Sequence, residues 1–340
     1  MTMKAIVVRE PGGVDQLSYE EVADPVPGPG EVRVQVQYAG LNRRDVYARM
    51  GQYPRVRFPA IPGSDGVGVV DAVGAGVEAL TPGAPVLIYP ARNWGDDERA
   101  PGRAFEILGI PTDGTYAEHV VVPAANVFPK PGYLTGPEAA ALPLVGLTAY
   151  RCLFTRGALQ AGEWVLIPGI GGGLATMLLL MATAAGARVA VTSSQDGKIA
   201  RAREMGAEAG ANYRQTDYVQ DLRHAVPAGF DLVVDTLGGP GFEDVVALAR
   251  PGGRVVLVGA TAGPVPSLVL PRIFLKHLDL RGTSMGSPLD FARMLDFCLE
   301  HQIRPIVDRV FPLAEVSAAQ EYLWDGGQFG KVVLQVSGQA

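Results

Sequence analysis

Residues 164–175 read WVLIPGIGGGLA, an apolar stretch followed by glycines and the start of a second apolar stretch. The pattern predicts a buried strand, a tight turn and the first turn of a helix. Glycine lets such a turn approach a pyrophosphate closely, and the free N–H groups of the helix stabilise its charge. The stretch therefore predicts a dinucleotide-binding loop, whose contacts we assign to Gly171, Gly172, Gly173 and Leu174.

The glycine spacing departs from the G-x-G-x-x-G fingerprint of such loops. Counting from Gly169 puts Leu174 in the third glycine place, and shifting the count by one residue loses the first glycine. A glycine-rich turn in a domain that binds no phosphate is the alternative. The context favours the cofactor, because the loop is followed by an apolar helix and then a second apolar strand at 188–192.

The chain around this loop divides into two kinds of pattern. Up to about residue 128, short strands are broken by turns, which predicts a mostly β domain. From about residue 142, strands alternate with helices, which is typical of βαβ units and a parallel sheet. The predicted strands are 163–167, 188–192, 230–235 and 253–258, and the predicted helices are 174–185, 197–205 and 241–249.

These patterns predict an α/β protein of two domains. The length of 340 residues fits two domains. We place a β-rich domain at 1–128, completed by a returning tail at 289–340, and a doubly wound parallel-sheet domain at 129–288.

Composition excludes several classes of protein and of partner. Hydrophobic residues make up 48% and charged residues 19%, which is globular composition. The net charge of −6, without a basic cluster, argues against nucleic acid or a membrane surface as partner. The apolar run 174–187 is too short to span a bilayer and predicts a buried helix. The first ten residues do not read as a signal peptide, and neither Cys152 nor Cys298 lies in a CxxC pair, so we expect a cytoplasmic protein.

The end of the second strand of the parallel sheet predicts which nicotinamide cofactor is bound. An NAD site normally carries an acidic residue there, about twenty residues beyond the glycine loop. Here the strand ends at Ser193 and Ser194, and Lys198 lies about one helical turn later. Hydroxyls and a cation favour the 2′-phosphate of NADP(H). Two alternatives remain: Ser194 is only a helix N-cap, or Asp196 is the missing acid in a shifted register.

Five motifs together resemble the medium-chain dehydrogenase/reductase superfamily, and within it the quinone oxidoreductase (zeta-crystallin-like) branch. They are PGPGEV at 27–32, AGLNRRD at 39–45, PAIPGSDGVG at 59–68, GLTAY at 146–150 and GKVVL at 330–334. The resemblance implies a GroES-like β-rich catalytic domain and a Rossmann domain of strand order 3-2-1-4-5-6, with a cleft between them. It also implies a homodimer or homotetramer joined through Rossmann edge strands.

The resemblance also predicts that zinc is absent. Relatives with a catalytic zinc hold it by a Cys, a His and commonly a second Cys, at the places of Asn42, Ser64 and Leu144. These residues are poor or impossible zinc ligands. The lobe at 90–114, where many relatives hold a structural zinc by four cysteines, has no cysteine. Its acidic cluster at 96–98 is more typical of a solvated loop than of a calcium site. The four histidines lie in no metal-spaced pair.

Catalytic candidates follow from the second motif. In quinone oxidoreductases an Asn-x-x-Asp block is followed by two tyrosines beside the nicotinamide, and here Asn42 and Asp45 are followed by Tyr47 and Tyr53. A tyrosine hydroxyl can donate to a carbonyl oxygen as negative charge develops on it. Asn42 can bond the nicotinamide ribose or the substrate. Tyr47 as a packed aromatic residue is the alternative.

The resemblance adds further cofactor contacts. Thr148 matches a residue that touches the nicotinamide end, and Tyr213 one that stacks near the 2′-phosphate. Met285 lies in a glycine-flanked loop placed beside the nicotinamide, with core packing as its alternative. Gly259 and Lys331 complete the predicted cofactor set.

The expected reaction follows from the missing metal. Zinc-free sites lack a Lewis acid to polarise a simple alcohol or ketone. A quinone or conjugated enone spreads the incoming charge over its own π-system, so hydrogen-bond donors can suffice. We expect NADPH-dependent reduction of a small quinone or α,β-unsaturated carbonyl substrate. The alternatives are a zinc-free alcohol or aldehyde dehydrogenase and a non-catalytic, crystallin-like NADPH-binding protein.

Overall fold

The computed structural model describes residues 1–337, which form two compact units. One unit holds Met1–Leu144 together with the chain from Ser287 onward, and the other holds Val145–Gly286. The predicted division after residue 128 lies earlier than this boundary. The difference arises because the helix Gly136–Ala140 packs against strands of the first unit.

The strands are numbered in chain order. They are β1 (Thr2–Val7), β2 (Ser18–Ala23), β3 (Glu31–Gly40), β4 (Asp65–Val73), β5 (Pro85–Ile88), β6 (Ala91–Arg92), β7 (Glu106–Ile107), β8 (His119–Pro123), β9 (Val127–Pro129), β10 (Trp164–Ile167), β11 (Arg188–Ser193), β12 (Ala207–Asn212), β13 (Phe230–Asp235), β14 (Ala249–Leu257), β15 (Asp279–Gly282), β16 (Val307–Pro312) and β17 (Lys331–Gln335).

The helices are numbered in the same way. They are α1 (Arg43–Arg49), α2 (Gly136–Ala140), α3 (Pro143–Tyr150), α4 (Gly173–Ala184), α5 (Asp196–Glu204), α6 (Tyr218–Ala225), α7 (Phe242–Leu248), α8 (Leu270–Phe274), α9 (Pro288–Glu300) and α10 (Val316–Asp325). A π-helical turn at Arg151–Arg156 follows α3.

The second unit is built on a six-stranded sheet of order β12-β11-β10-β13-β14-β15. All of its pairings are parallel. Numbered by appearance, this is the order 3-2-1-4-5-6 of the Rossmann fold. Central strands of such sheets are apolar because both faces are covered, and Val165, Leu166 and Ile167 are fully buried. The predicted parallel-sheet fold is confirmed.

Three strands of this sheet differ from the sequence expectation. β15 was not predicted, since its four residues DLRG are too few to show a strand pattern. β12 was not predicted, since its sequence AEAGAN is rich in alanine and glycine and poor in the β-branched residues typical of strands. β14 starts at Ala249, before the predicted start at Gly253. Pro251 and Gly252, which predict a turn, lie inside the strand, where its register against β13 shifts. Such irregularities at a proline and glycine are the usual form of a bulge.

The first unit is built on a seven-stranded sheet in which β3 pairs with β4, β8 and β17. Val32, Val34 and Val36 alternate along β3 and are fully buried, as the period of two predicts. The tail strand β17 pairs antiparallel with β3, where Val333 lies opposite Gly40. The tail thereby brings the start of β17 next to the end of β3. The predicted GroES-like β-rich fold is confirmed.

No helix within residues 1–337 is long and apolar enough to cross a membrane. The apolar run after the glycine loop forms α4, which has 12 residues and buries Met177, Leu178 and Leu179. It is the buried helix that the sequence predicts.

Candidate active site

The glycine loop joins β10 to α4, as predicted. Gly171 has φ +133°, a conformation that L side chains rarely adopt, and Gly172 caps α4 without a side chain over its free N–H groups. The Ile170 N–H donates to the Thr192 carbonyl at 2.7 Å, which ties the loop to the end of β11. Gly173 and Leu174 begin the helix. The loop therefore presents the backbone that a pyrophosphate needs.

Lys198 reaches back over this loop from α5. A Cβ atom added to Gly171 would lie 3.1 Å from the Lys198 Nζ and 2.8 Å from its Cδ. A side chain at position 171 would thus collide with the Lys198 side chain, which brings a positive charge over the loop. The arrangement fits a phosphate group, whether the pyrophosphate or the 2′-phosphate.

The two serines at the end of β11 have different surroundings. Ser193 is buried, and its hydroxyl accepts from the Gln195 N–H at 3.2 Å. Ser194 is half-buried, and its hydroxyl has no hydrogen-bond partner within residues 1–337. Gln195, not Ser194, holds the N-cap position of α5. The alternative that Ser194 is the helix cap is therefore wrong.

Asp196, the alternative candidate for the acidic residue of an NAD site, bonds to another side chain of this unit. It lies in the first turn of α5, and its Oδ1 accepts from Asn212 Nδ2 at 2.8 Å. Because β11 ends at Ser193, the residue that directly follows the strand is Ser194. Ser194 therefore occupies the position directly after β11, as the cofactor prediction assumes.

The end of the next strand, β12, adds an aromatic and a cation. Tyr213 is 41% exposed, and its N–H donates to the Ser193 carbonyl at 3.0 Å, which places it beside the end of β11. Arg214 follows it, and its exposed guanidinium has no hydrogen-bond or ionic partner in the described chain. The sequence patterns did not single out Arg214, although its position directly after Tyr213 makes it a further candidate for the cofactor.

The remaining predicted cofactor residues of this unit occupy constrained positions. Gly259 follows β14, and a Cβ atom there would lie 2.6 Å from the Thr236 carbonyl oxygen. Thr148 is buried in α3. Met285 is buried and has φ +51°, an uncommon conformation for a residue with a Cβ. Their contacts with a cofactor stay predictions.

In the first unit, Lys331 contacts three residues that lie far from it in the sequence. Its ammonium, at the start of β17, donates to the Leu41 carbonyl and to Asn42 Oδ1 at 2.7 Å each, and to Asp65 Oδ2 at 2.9 Å. Asn42 Nδ2 also donates to Asp65 Oδ2 at 2.9 Å. The ion pair is buried, with Asp65 0% and Lys331 4% exposed. Both ends of the Asn42 amide are thereby fixed.

A second buried pair lies beside it. The Arg44 guanidinium donates to Ser64 Oγ at 2.6 Å and lies 3.3 Å from Asp45 Oδ1. Asp45 also accepts from the Asn42 N–H at 2.9 Å and from the Tyr116 hydroxyl at 3.0 Å. Burial raises the pKa of the Asp45 carboxyl, while Arg44 and these donors oppose that rise. Asp45 therefore holds the start of α1 in place, and its catalytic role stays a prediction.

This network does not fit a zinc ion at the predicted ligand places. The Asn42 oxygen faces the Lys331 ammonium, and Ser64 Oγ accepts from the Arg44 guanidinium. The third place, Leu144, offers no side-chain ligand, and its N–H donates to Asp65 Oδ1 at 2.7 Å. A divalent cation would meet two buried cations and none of the thiolate or imidazole ligands that zinc prefers. No group of three His, Cys, Asp or Glu side chains in the described part of the chain could hold a metal.

The two predicted tyrosines keep their hydroxyls available. Tyr47 packs edge-on against Trp324 at 5.8 Å between ring centroids. The Tyr53 ring lies under the Arg44 guanidinium at 4.8 Å. Neither hydroxyl has a hydrogen-bond partner among residues 1–337. Packing fixes both rings while leaving a donor on each free.

Contacts between side chains hold the cysteine-free lobe together. Trp94 packs edge-on against Phe105 at 5.4 Å, and its Nε1 donates to the Asp97 carbonyl at 3.1 Å. Asp97 pairs with Arg99 at 3.0 Å. Glu98 accepts from the hydroxyl of Ser287, the N-cap of α9. Two of the three acidic residues at 96–98, Asp97 and Glu98, therefore have protein partners.

Comparisons with known proteins agree with this architecture. Residues 28–132 match the alcohol dehydrogenase GroES-like domain, and residues 173–300 match the zinc-binding dehydrogenase domain. The zinc-type alcohol dehydrogenase-like protein YogA of Leptosphaeria maculans is 34% identical, over 94% of each chain. The chain belongs to the medium-chain dehydrogenase/reductase superfamily, as the sequence motifs predict, and is an oxidoreductase of that family.

Two solved structures of similar fold are associated with different nicotinamide cofactors. An NAD-dependent alcohol dehydrogenase superposes with a TM-score of 0.94 at 38% identity, covering 98% of this chain and 100% of its own. A mycobacterial protein solved in complex with NADPH superposes with a TM-score of 0.84 at 29% identity, covering 98% and 100%. The family implies a nicotinamide cofactor, and the two neighbours leave its identity open.

Proposed function

We propose that this chain is an NADPH-dependent oxidoreductase that reduces a quinone or α,β-unsaturated carbonyl without zinc. The observation that carries the proposal is the buried Arg44–Ser64 and Lys331–Asn42 bonding at the places where a catalytic zinc would be held. Bound NADPH supplies the hydride. The protein binds and orients both partners and donates hydrogen bonds to the oxygen on which charge develops.

Several groups support NADPH over NADH. The unpartnered Ser194 hydroxyl lies next to the end of β11, and Tyr213 is tied to the same strand end by its backbone. Lys198 and Arg214 provide two cations on the following segments. No carboxylate occupies the position directly after β11, where one would bond the ribose of NAD and repel a 2′-phosphate.

Tyr47→Phe and Tyr53→Phe are expected to lower kcat, by about 10²–10³ at most for the loss of one oxyanion donor. Phenylalanine keeps the ring packing against Trp324 and Arg44. NADPH affinity should therefore change little. Tyr19→Phe is a matched control, since Tyr19 is 46% exposed on β2 and outside the site. Full turnover in both single variants and in the double variant would remove these tyrosines from the mechanism.

The purified protein is expected to contain no stoichiometric zinc and to keep its activity in a strong chelator. The two buried cations beside Asn42 and Ser64 disfavour a divalent ion there. Elemental analysis and NADPH oxidation before and after chelation measure this. About one zinc per chain, with activity lost on its removal, would contradict the proposal.

A substrate panel separates the three candidate functions. NADPH or NADH is combined with 1,2-naphthoquinone or 2-cyclohexenone, and NADP⁺ or NAD⁺ with ethanol, while absorbance of the reduced cofactor is followed. Turnover of the first two with NADPH is the expected result. Turnover of ethanol alone would favour a zinc-free alcohol dehydrogenase, and tight NADPH binding without any turnover would favour a non-catalytic, crystallin-like protein.

We also propose a homodimer or homotetramer formed through the edge strand β15. The neighbouring segment exposes several apolar side chains, among them Leu270, Phe274 and Leu275, the last at 72% exposure. Exposed apolar patches of this kind mark association surfaces. Sedimentation analysis measures the oligomeric state.

A cytoplasmic location is proposed as well, since Cys152 and Cys298 are both free and buried, and cell fractionation would check it.

A further inference from the structure

A cavity of about 350 Å³ lies within the first unit, outside the candidate active site. Its walls come from β1, β2, β8 and the loops that carry Pro59–Ile61 and Thr112–Asp113. Most of the lining is apolar, including Met3, Val7, Val22 and Val120. Cavities of a few hundred Å³ with apolar walls and a few polar groups are typical of small-molecule sites.

One side chain in this wall, Arg92, is half-buried and has no protein partner for its guanidinium. The Arg92 guanidinium makes no hydrogen bond or ion pair within the described chain, and its Nε is buried. Glu106 lies directly opposite Arg92 in the β6–β7 pair, yet the two side chains form no ion pair. Thr112 Oγ1, also in the wall, is buried and unbonded as well. Buried polar groups are nearly always satisfied, so each such group calls for an explanation.

The other polar groups of the cavity are already partnered. His119 Nδ1 lies 3.1 Å from Asp24 Oδ1. Asp113 Oδ1 accepts from the Ile61 N–H at 2.9 Å, and the residue is exposed, so water screens its charge. Arg92 and Thr112 are therefore the groups that a ligand can satisfy. Both can donate, and Arg92 carries a full positive charge.

We propose that this cavity binds a small carboxylate that carries an alkyl chain. The guanidinium of Arg92 matches a carboxylate in a two-pronged hydrogen bond, and Thr112 adds a hydroxyl donor. The chain then packs against the valines and Met3 of the wall. Apolar walls disfavour a compact, strongly hydrated anion such as phosphate.

Octanoate is the probe that tests this site, by calorimetric titration with NADPH saturating so that the cofactor site stays occupied. The wild-type protein is expected to bind octanoate. Arg92→Gln should weaken octanoate by about ten- to a hundredfold, the range for a lost charge-assisted hydrogen bond. Arg103→Gln is the matched control, because it removes the same charge from an exposed position in the same lobe. Ala23→Trp should fill the cavity from its exposed rim and abolish binding.

Three results would overturn the proposal: no octanoate binding to the wild type, equal affinity in Arg92→Gln, or tighter binding of octylamine than of octanoate. Tighter binding of octylamine would mean that the cavity binds a cation beside Asp113 instead of a carboxylate. Thermal unfolding of each variant shows that it is folded. Quinone turnover should be unchanged in Arg92→Gln, so the result stands apart from the test of the proposed reaction.

Discussion

Replacing Ser194 by Asp is expected to reverse the cofactor preference from NADPH to NADH. The new carboxylate would follow β11 directly, where it repels a 2′-phosphate and accepts from the ribose hydroxyls. A 2′-phosphate carries nearly two negative charges, and each charge-assisted hydrogen bond to it contributes about 1.5–3 kcal/mol. NADPH should therefore weaken by at least about ten- to a hundredfold, while NADH gains affinity.

The matched control is Ser194→Ala, which removes the hydroxyl without adding charge and should weaken NADPH modestly while leaving NADH unaffected. Fluorescence titration of both reduced cofactors into each variant gives the dissociation constants. Equal constants for NADPH and NADH in the wild type, or tighter NADH, would mean that Ser194 does not select the cofactor.

Lys198→Ala and Arg214→Gln belong to the same experiment, because they distinguish the two phosphate groups. Lys198 Nζ lies over Gly171, so it can serve the pyrophosphate, which both cofactors share, or the 2′-phosphate, which only NADPH has. Loss of NADPH affinity alone assigns a cation to the 2′-phosphate. Equal loss for both cofactors assigns it to the pyrophosphate.

Lys331→Met is expected to destabilise the first unit by about 3–5 kcal/mol, the range for breaking a buried ion pair on one side. Asp65 would remain fully buried, with Asn42 Nδ2 and the Leu144 N–H as its donors but no countercharge. The free energy of unfolding in urea measures the loss. Because the Asn42 amide would also lose the donor to its oxygen, kcat should fall even at temperatures where the variant is folded.

Two comparisons make this result specific. Lys4→Met breaks the exposed pair with Glu21 and should cost no more than about 1 kcal/mol. Lys331→Met combined with Asp65→Asn should recover part of the loss, since it removes the unpaired charge. A cost below about 1 kcal/mol for Lys331→Met alone would mean that the buried pair does not stabilise the unit.

Local sequence pattern predicted most of the parallel sheet. β13 and the boundaries of α4 and α5 were predicted to within a residue or so, because apolar runs bounded by glycine carry the strand–helix alternation. β12 and β15 were missed, since β12 is rich in alanine and β15 has only four residues, so neither carries that pattern. The glycine loop, Ser194 and Lys198 lie close together in the sequence around one βαβ unit, so neighbouring residues alone are enough to predict a cofactor site there.

The sequence by itself determined the fold class, the order of the Rossmann strands through the resemblance, and the residue types at the zinc-ligand places. Only the tertiary structure decided what contacts the side chains at two of these places: the Lys331 ammonium donates to Asn42 across 289 residues of chain, and Arg44 donates to Ser64. It also decided that Arg92 faces a cavity without a partner. The physical reason is that both arrangements depend on contacts between residues distant in the sequence. β17 pairs with β3, and the lobe at 90–114 shares a cavity wall with β1. No local sequence pattern specifies such partners.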